Sequence, residues 1–273
     1  MKGIAFGQYY PSGSVLHRMD PRVKMIVAIL YIVCSFLCDN ILSYALLLLS
    51  AVLLVAIGRV PFKTVFRGLR AVMFVLMFTA LLNIFWTNGS ILLLEWGFIK
   101  IYAEGLYAAL FIMIRITALI IGTGMLLTYT TTPITLTNAI EDLLSPLKLL
   151  HVPVHSFAMM MTIALRFIPT LAEETDKIMT AQKARGADFS SGGLVERAKA
   201  LIPILIPLFV SAFNRAGDLA TAMECRCYNG DNGRTRMNVR RLRAVDLIPL
   251  AVIILFGAAL ICLNLLSIGY TMG

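Results

Sequence analysis

Residues 41–57 read Ile-Leu-Ser-Tyr-Ala-Leu-Leu-Leu-Leu-Ser-Ala-Val-Leu-Leu-Val-Ala-Ile, with no charge, no proline and no glycine. A helix needs about 20 predominantly apolar residues to cross about 30 Å of hydrocarbon, and this run comes close. Four more of its kind follow from the same reading, at residues 23–38, 71–86, 105–129 and 247–268. The composition agrees. The 273 residues are 59% hydrophobic and 14% charged, with a mean hydropathy of +0.84, against about 45–50% apolar and about 25% charged in soluble domains. One water-soluble globule cannot hide that much apolar surface, and a disordered chain would not carry it. The expected fold is all-α: a polytopic membrane protein of about five transmembrane helices plus long cytoplasmic coupling helices.

Lysine and arginine set the orientation. The net charge is +9. The N-terminal segment holds Lys2, Arg18, Arg22 and Lys24. The loop after residue 57 holds Arg59, Lys63, Arg67 and Arg70, and residues 130–243 hold fourteen more. The turn at Asp39-Asn40 holds none, residues 87–104 hold only Lys100, and the tail 271–273 holds none. Five alternating crossings put every strongly basic segment on the cytoplasmic side, with the N-terminus inside and the C-terminus outside. On this map a label at Asn88 reacts from outside and one at Ser190 from inside. No basic stretch is interleaved with stacking aromatics, so nucleic acid is not an expected partner. The five cysteines (Cys34, Cys38, Cys225, Cys227 and Cys262) are odd in number, and three lie in apolar runs, which is no disulfide framework. The N-terminus lacks the pattern of a cleavable signal peptide.

Two further apolar stretches, 157–171 and 201–213, carry Pro169, Pro203 and Pro207 and are short for a crossing. If both crossed, Lys177, Lys183, Arg185, Arg197 and Lys199 would land outside. They are therefore placed at or near the cytoplasmic interface, or packed on other helices. Residues 91–101, with Gly97 near the middle, read as a short hairpin or re-entrant turn.

The resulting organisation is a membrane region at 1–129 with four crossings, a coupling region at 130–243, and a C-terminal crossing at 244–273. The middle region is too long for a plain connector. Apolar spacing marks helical units at 137–150, which Pro146 bends or ends early, at 154–184, and from 194 to about 228. Gly186 reads as a helix stop, because glycine enters the left-handed region freely. The two long units end alike. Thr180-Ala181-Gln182-Lys183-Ala184-Arg185-Gly186 and Thr221-Ala222-Met223-Glu224-Cys225-Arg226-Cys227 share Thr, Ala and Arg at an offset of 41 residues. Arginine offers a planar fork of donors and a permanent charge, which suits an acidic groove on another protein. A solvated or headgroup-facing arginine at a helix end satisfies the same pattern.

Three stretches carry a family resemblance. Ser14-Val15-Leu16-His17-Arg18-Met19-Asp20-Pro21-Arg22-Val23-Lys24 resembles the opening of the transmembrane T component (EcfT or CbiQ-like) of energy-coupling factor (ECF) importers. Gln182-Lys183-Ala184-Arg185-Gly186-Ala187-Asp188 resembles the Ala-Arg-Gly motif of that family, and Ala222-Met223-Glu224-Cys225-Arg226-Cys227-Tyr228 falls where its second motif is expected. The resemblance implies a scaffold in a bacterial or archaeal cell membrane that works with two cytoplasmic ATP-binding cassette subunits and one substrate-binding membrane (S) subunit, and imports vitamins or other micronutrients. It implies that Ala184, Arg185 and Gly186 contact one ATPase subunit and Cys225, Arg226 and Cys227 the other, and that the chain itself is no enzyme. ATP would be bound by the partner subunits, and no cofactor is expected in this chain. In the second motif cysteines flank the arginine where Ala and Gly are usual.

Rival chemistries lack their residues. No Gly-x4-Gly-Lys-Ser/Thr phosphate loop occurs. Cys225 and Cys227 have no nearby His or Cys to complete a zinc set, and Pro153 separates His151 from His155. Glu173-Glu174 lacks the arginine that intramembrane prenyl-processing proteases place four residues on, since Ile178 stands there, and reads as a solvated face. Arg115, in mid-crossing, has no acidic partner at similar depth; Asn83 is the nearest polar candidate, and the role expected is structural or a subunit contact. A stand-alone secondary transporter should show two matching halves with interrupted helices. An intramembrane enzyme should show converging carboxylates, histidines or a nucleophile. Neither set is found.

Overall fold

The computed structural model describes residues 9–86, 92–96, 99–187, 189, 193–230 and 243–266. Lys2, Asn88, Gly97, Asp188, Ser190 and the tail 271–273, named above, lie outside them. The described residues fall into two compact units, one within 9–139 and 243–266 and the other within 140–230.

The first unit is a helix bundle. A short helix α1 (Val15–Arg18) precedes α2 (Pro21–Phe36). Pro21 occupies the first turn of α2, where its missing N–H removes no bond, and the Asp20 carboxylate accepts the Arg22 N–H at 2.9 Å. Then come α3 (Ile41–Gly58) and α4 (Phe62–Trp86). The antiparallel hairpin β1 (Leu92–Trp96) and β2 (Ile99–Tyr102) is the one departure from all-helical structure among the described residues. It agrees with the hairpin expected there. Helix α5 (Ala103–Thr123) runs on into a π-helical turn, Gly124–Thr128, and α9 (Leu247–Leu265) closes the unit.

Helix α5 packs on α2, α3 and α4, and α9 packs on α2 and α3. Tyr31, Tyr44, Leu47 and Leu260 lie fully buried at these contacts. Close approach requires Gly122: a Cβ there would sit 2.2 Å from the Tyr31 ring.

The N-terminal segment ties helix ends together. Ser12 donates to Gly58 O at 2.7 Å, and Tyr10 N–H donates to Tyr129 O at 3.0 Å. Lys24, 1% exposed, donates through Nζ to Thr130 O, Thr130 Oγ1 and Thr131 Oγ1 at 3.0, 3.2 and 3.1 Å. Asp20 N–H donates to Asp246 Oδ1 at 3.1 Å, which fixes the start of α2 to the start of α9. A buried ammonium is tolerable only with its donors matched in this way. The stretch 14–24 thus has a structural task that its residue types alone did not disclose.

At the other end of α2 the tight turn into α3 is held by side chains. Arg115 donates to Cys38 O at 2.7 Å and to the Tyr44 hydroxyl, and its guanidinium lies 5.3 Å from the Tyr44 ring centroid. Asn264 of α9 donates to Leu37 O and accepts from Ser43 Oγ, and Asn40 donates to Leu263 O at 3.2 Å. These groups occupy the orphan carbonyls at the helix end. Asn83, expected beside Arg115, instead donates to Thr79 O on its own helix. The partners of Arg115 among the described residues are a carbonyl, a hydroxyl and an aromatic face.

Helix α6 (Pro133–Leu143), of which only the residues from 140 on belong to the second unit, gives way to a 3-10 turn at Ser145–Leu150, where Pro146 ends the α-helix as expected. Then come α7 (Val154–Ala184) and α8 (Leu194–Glu224), packed on each other. The Glu196 carboxylate accepts the Gly193 N–H at 3.0 Å at the start of α8.

Among the described residues, five helical segments are long and apolar enough to cross a membrane: α3, Ala103–Thr128, α7, Val195–Glu224 within α8, and α9. Phe62–Arg70 with Val72–Trp86, bent by 59°, makes a sixth if counted as one span. At 16 residues α2 is shorter. The sequence reading excluded α7 and α8 partly for length, because it measured only their apolar stretches. The helices run to 31 residues each, through Pro169 and through Pro203 and Pro207. Length therefore does not keep them out of the bilayer, and both stand among the helices able to cross it.

Two matched helix tips as the candidate docking site

The six residues singled out for partner contact lie at the C-terminal ends of α7 and α8, and the two ends share one backbone hydrogen-bond pattern. At the first, Gly186 N–H donates to Lys183 O at 3.0 Å and Ala187 N–H donates to Gln182 O at 3.0 Å. At the second, Cys227 N–H donates to Glu224 O at 2.9 Å and Tyr228 N–H donates to Met223 O at 3.0 Å. Each is the double hydrogen bond of a Schellman ending, and every participant is displaced by 41 residues. Gly186 takes the left-handed position with φ +87, and Cys227 takes the equivalent one with φ +55. The absence of a glycine does not change how the second helix ends; it leaves a Cβ in a region L-residues disfavour.

The arginines stand one residue before the left-handed turn, and both are exposed. So are Ala184, Gly186, Cys225 and Cys227. A helix C-terminus carries a partial negative charge that favours a cation.

The two helices are joined by polar contacts the sequence reading did not find. Glu174 on α7 accepts from Arg215 at 2.8 Å and from Ser211 Oγ at 2.5 Å, both on α8. Glu174 is therefore an inter-helix partner rather than part of a solvated face. Gln182 donates through Nε2 to Pro203 O at 3.4 Å. Pro207 has no N–H to offer the carbonyl four residues back, so Gln182 supplies the bond the helix lacks. The Pro-x3-Pro spacing was visible in the chain; the residue that answers it, 21 positions away, was not.

Histidine chemistry is not assembled here. His155 Nδ1 lies 3.0 Å from Glu141 Oε1, and His151 sits in a left-handed turn with φ +60. Among the described residues no group of three or more His, Cys, Asp or Glu could hold a metal ion.

Residues 12–237 match the family model described as CbiQ, cobalt transport protein. The chain is 50% identical over 256 residues to the energy-coupling factor transporter transmembrane protein EcfT of Ruminiclostridium cellulolyticum, covering 94% of this chain and 95% of the relative. It is 47% identical to the protein of the same name from Clostridium kluyveri (98% and 97% covered) and 50% identical to that from Bacillus subtilis (86% and 89% covered). With apolar helices long enough to span a bilayer and this likeness over nearly its whole length, the chain belongs to the CbiQ family and, within it, to the transmembrane T components of energy-coupling factor transporters.

Proposed function

We propose that this protein couples ATP hydrolysis by two cytoplasmic ATP-binding cassette subunits to a separate substrate-binding membrane subunit, in an importer of vitamins or other micronutrients. Arg185 and Arg226 each enter an acidic groove on one ATPase subunit, with Ala184, Gly186, Cys225 and Cys227 as close neighbours. Closing of the ATPase pair on ATP then moves both tips, and α7 and α8 carry the motion to the substrate-binding subunit.

The observation that carries this reading is the duplicated helix ending, two exposed arginines at equivalent positions of one backbone hydrogen-bond pattern. Two copies suit two similar partners. The apolar side chains Phe157, Met160, Phe209 and Phe213 are exposed on α7 and α8, and this supports a lipid or protein neighbour along the shafts. The distribution of lysine and arginine supports a cytoplasmic N-terminus and cytoplasmic tips. Substrate choice belongs to the partner subunit.

The test is charge reversal. Arg185→Glu with Arg226→Glu should abolish co-purification of the ATPase subunits while the protein still inserts in the membrane. Normal assembly and ATP-dependent uptake by the double variant would overturn the reading.

A further inference from the structure

The first two turns of α4 carry a feature that neither the bundle packing nor the helix tips use. Between Asp39 and Glu95 the chain has no acidic residue, yet Arg59, Lys63, Arg67 and Arg70 fall in this interval. Lys63, Arg67 and Arg70 are spaced by four and three residues, which places them along one side of the helix. All three are exposed. Phe62 and Phe66, 67% and 59% exposed, form an adjoining side. Val65, on a third side, is buried against Val55, Val60, Met125 and Tyr129. The segment Phe62–Arg70 is thus anchored to the bundle by Val65 and presents an aromatic stripe beside a basic one. Its axis turns by 59° from the apolar remainder, Val72–Trp86.

A basic stripe next to exposed aromatics, on a segment angled away from an apolar helix, is the pattern of a helix lying in the plane of the bilayer interface. The first turn of a helix favours anions, and the first turn of α4 holds Lys63 and no carboxylate, so an anion from outside the chain suits this end of the helix. We propose that Phe62–Arg70 is an interfacial segment that binds anionic phospholipid, with Phe62 and Phe66 in the acyl region and Lys63, Arg67 and Arg70 on headgroup phosphates. Arginine and lysine both bind phosphate, arginine with two parallel donors. The occupant is a lipid because the phenylalanines adjoining the cations need an apolar phase, which a soluble phosphate or an acidic peptide would not supply. The inference rests on membrane embedding and not on ATPase docking, so it can fail or hold independently of the proposed function.

The test uses the full-length purified protein and two lipids of matched acyl chains, phosphatidylglycerol and phosphatidylcholine, with bound copies read by native mass spectrometry. The wild type should retain phosphatidylglycerol preferentially. Lys63→Gln, Arg67→Gln and Arg70→Gln should reduce that preference by about fivefold for each cation removed. Arg67→Lys with Arg70→Lys should keep it, and Arg185→Gln with Arg226→Gln should leave it unchanged. An unchanged preference in the triple Gln variant overturns the proposal. So does a triple variant that keeps its lipid preference and loses ATPase subunits, which would make the stripe a protein interface.

Discussion

At Cys227 the second helix tip holds a non-glycine residue at φ +55, where its counterpart Gly186 stands at φ +87. A Cβ in the left-handed region costs about 1 kcal/mol. Cys227→Gly should therefore tighten the end of α8, and Gly186→Ala should loosen the end of α7, each by about that amount. Amide exchange at Ala187 and Tyr228 reads both changes, about fivefold in opposite directions. Arg115 makes the second case. Replacing it with methionine keeps bulk but leaves Cys38 O and the Tyr44 hydroxyl without their donor. A hydrogen bond to a charged group contributes about 1.5–3 kcal/mol. Thermal unfolding in detergent should show a loss of that order for Arg115→Met, and a wild-type midpoint would refute the structural role.

Between elements, the bundle depends on a few close approaches. Gly122→Ala puts a methyl 2.2 Å from the Tyr31 ring, which must move. Overpacking of this kind costs about 1–3 kcal/mol. A second change, Tyr31→Leu, should restore part of that loss, and a double-mutant cycle in thermal stability measures the coupling. A cycle with no coupling would mean that α2 and α5 do not meet there. In the other unit, Glu174 and Arg215 are 22% and 39% exposed. Solvent screening holds the pair to at most about 1 kcal/mol. Glu174→Gln with Arg215→Gln should then behave nearly additively for stability and loosen α7 against α8 only modestly. The bond from Gln182 to Pro203 O gives the sharper prediction. Gln182→Leu leaves a carbonyl without its donor and should speed amide exchange around residues 203–208 of α8.

For the whole molecule the open quantity is sidedness. Cys225 and Cys227 are exposed, Cys34 and Cys38 are buried, and Cys262 lies in the apolar helix α9. A charged, membrane-impermeant maleimide should label the native chain from the cytoplasmic side alone, through Cys225 and Cys227. Labelling from the outer side of intact cells that persists after Cys262→Ala, which removes the exposed thiol of α9, would overturn the orientation drawn from lysine and arginine. Much of this scale was legible in the chain. Long uncharged apolar runs specify membrane helices because hydrocarbon offers the backbone no hydrogen-bond partner. The helix 154–184 and its stop at Gly186 follow from apolar spacing and glycine's conformational freedom. Helix length was less legible: the polar ends of α7 and α8 are continuous with their apolar parts, and apolar content alone did not delimit them.

The sequence by itself determined the environment, the membrane-helical class, the family, and the two arginines as a repeated feature. Hydropathy, charge and motif spacing are properties of neighbouring residues, and they survive in the linear order. Only the tertiary structure decided that Cys227 adopts the backbone of Gly186, that Gln182 bonds the carbonyl Pro207 leaves free, that Lys24 is buried on Thr130 and Thr131, and that Arg115 holds a turn 77 residues away. The last three are polar groups finding a partner across the fold. A desolvated donor or acceptor must be matched wherever packing places it, and the chain's order does not say where that is.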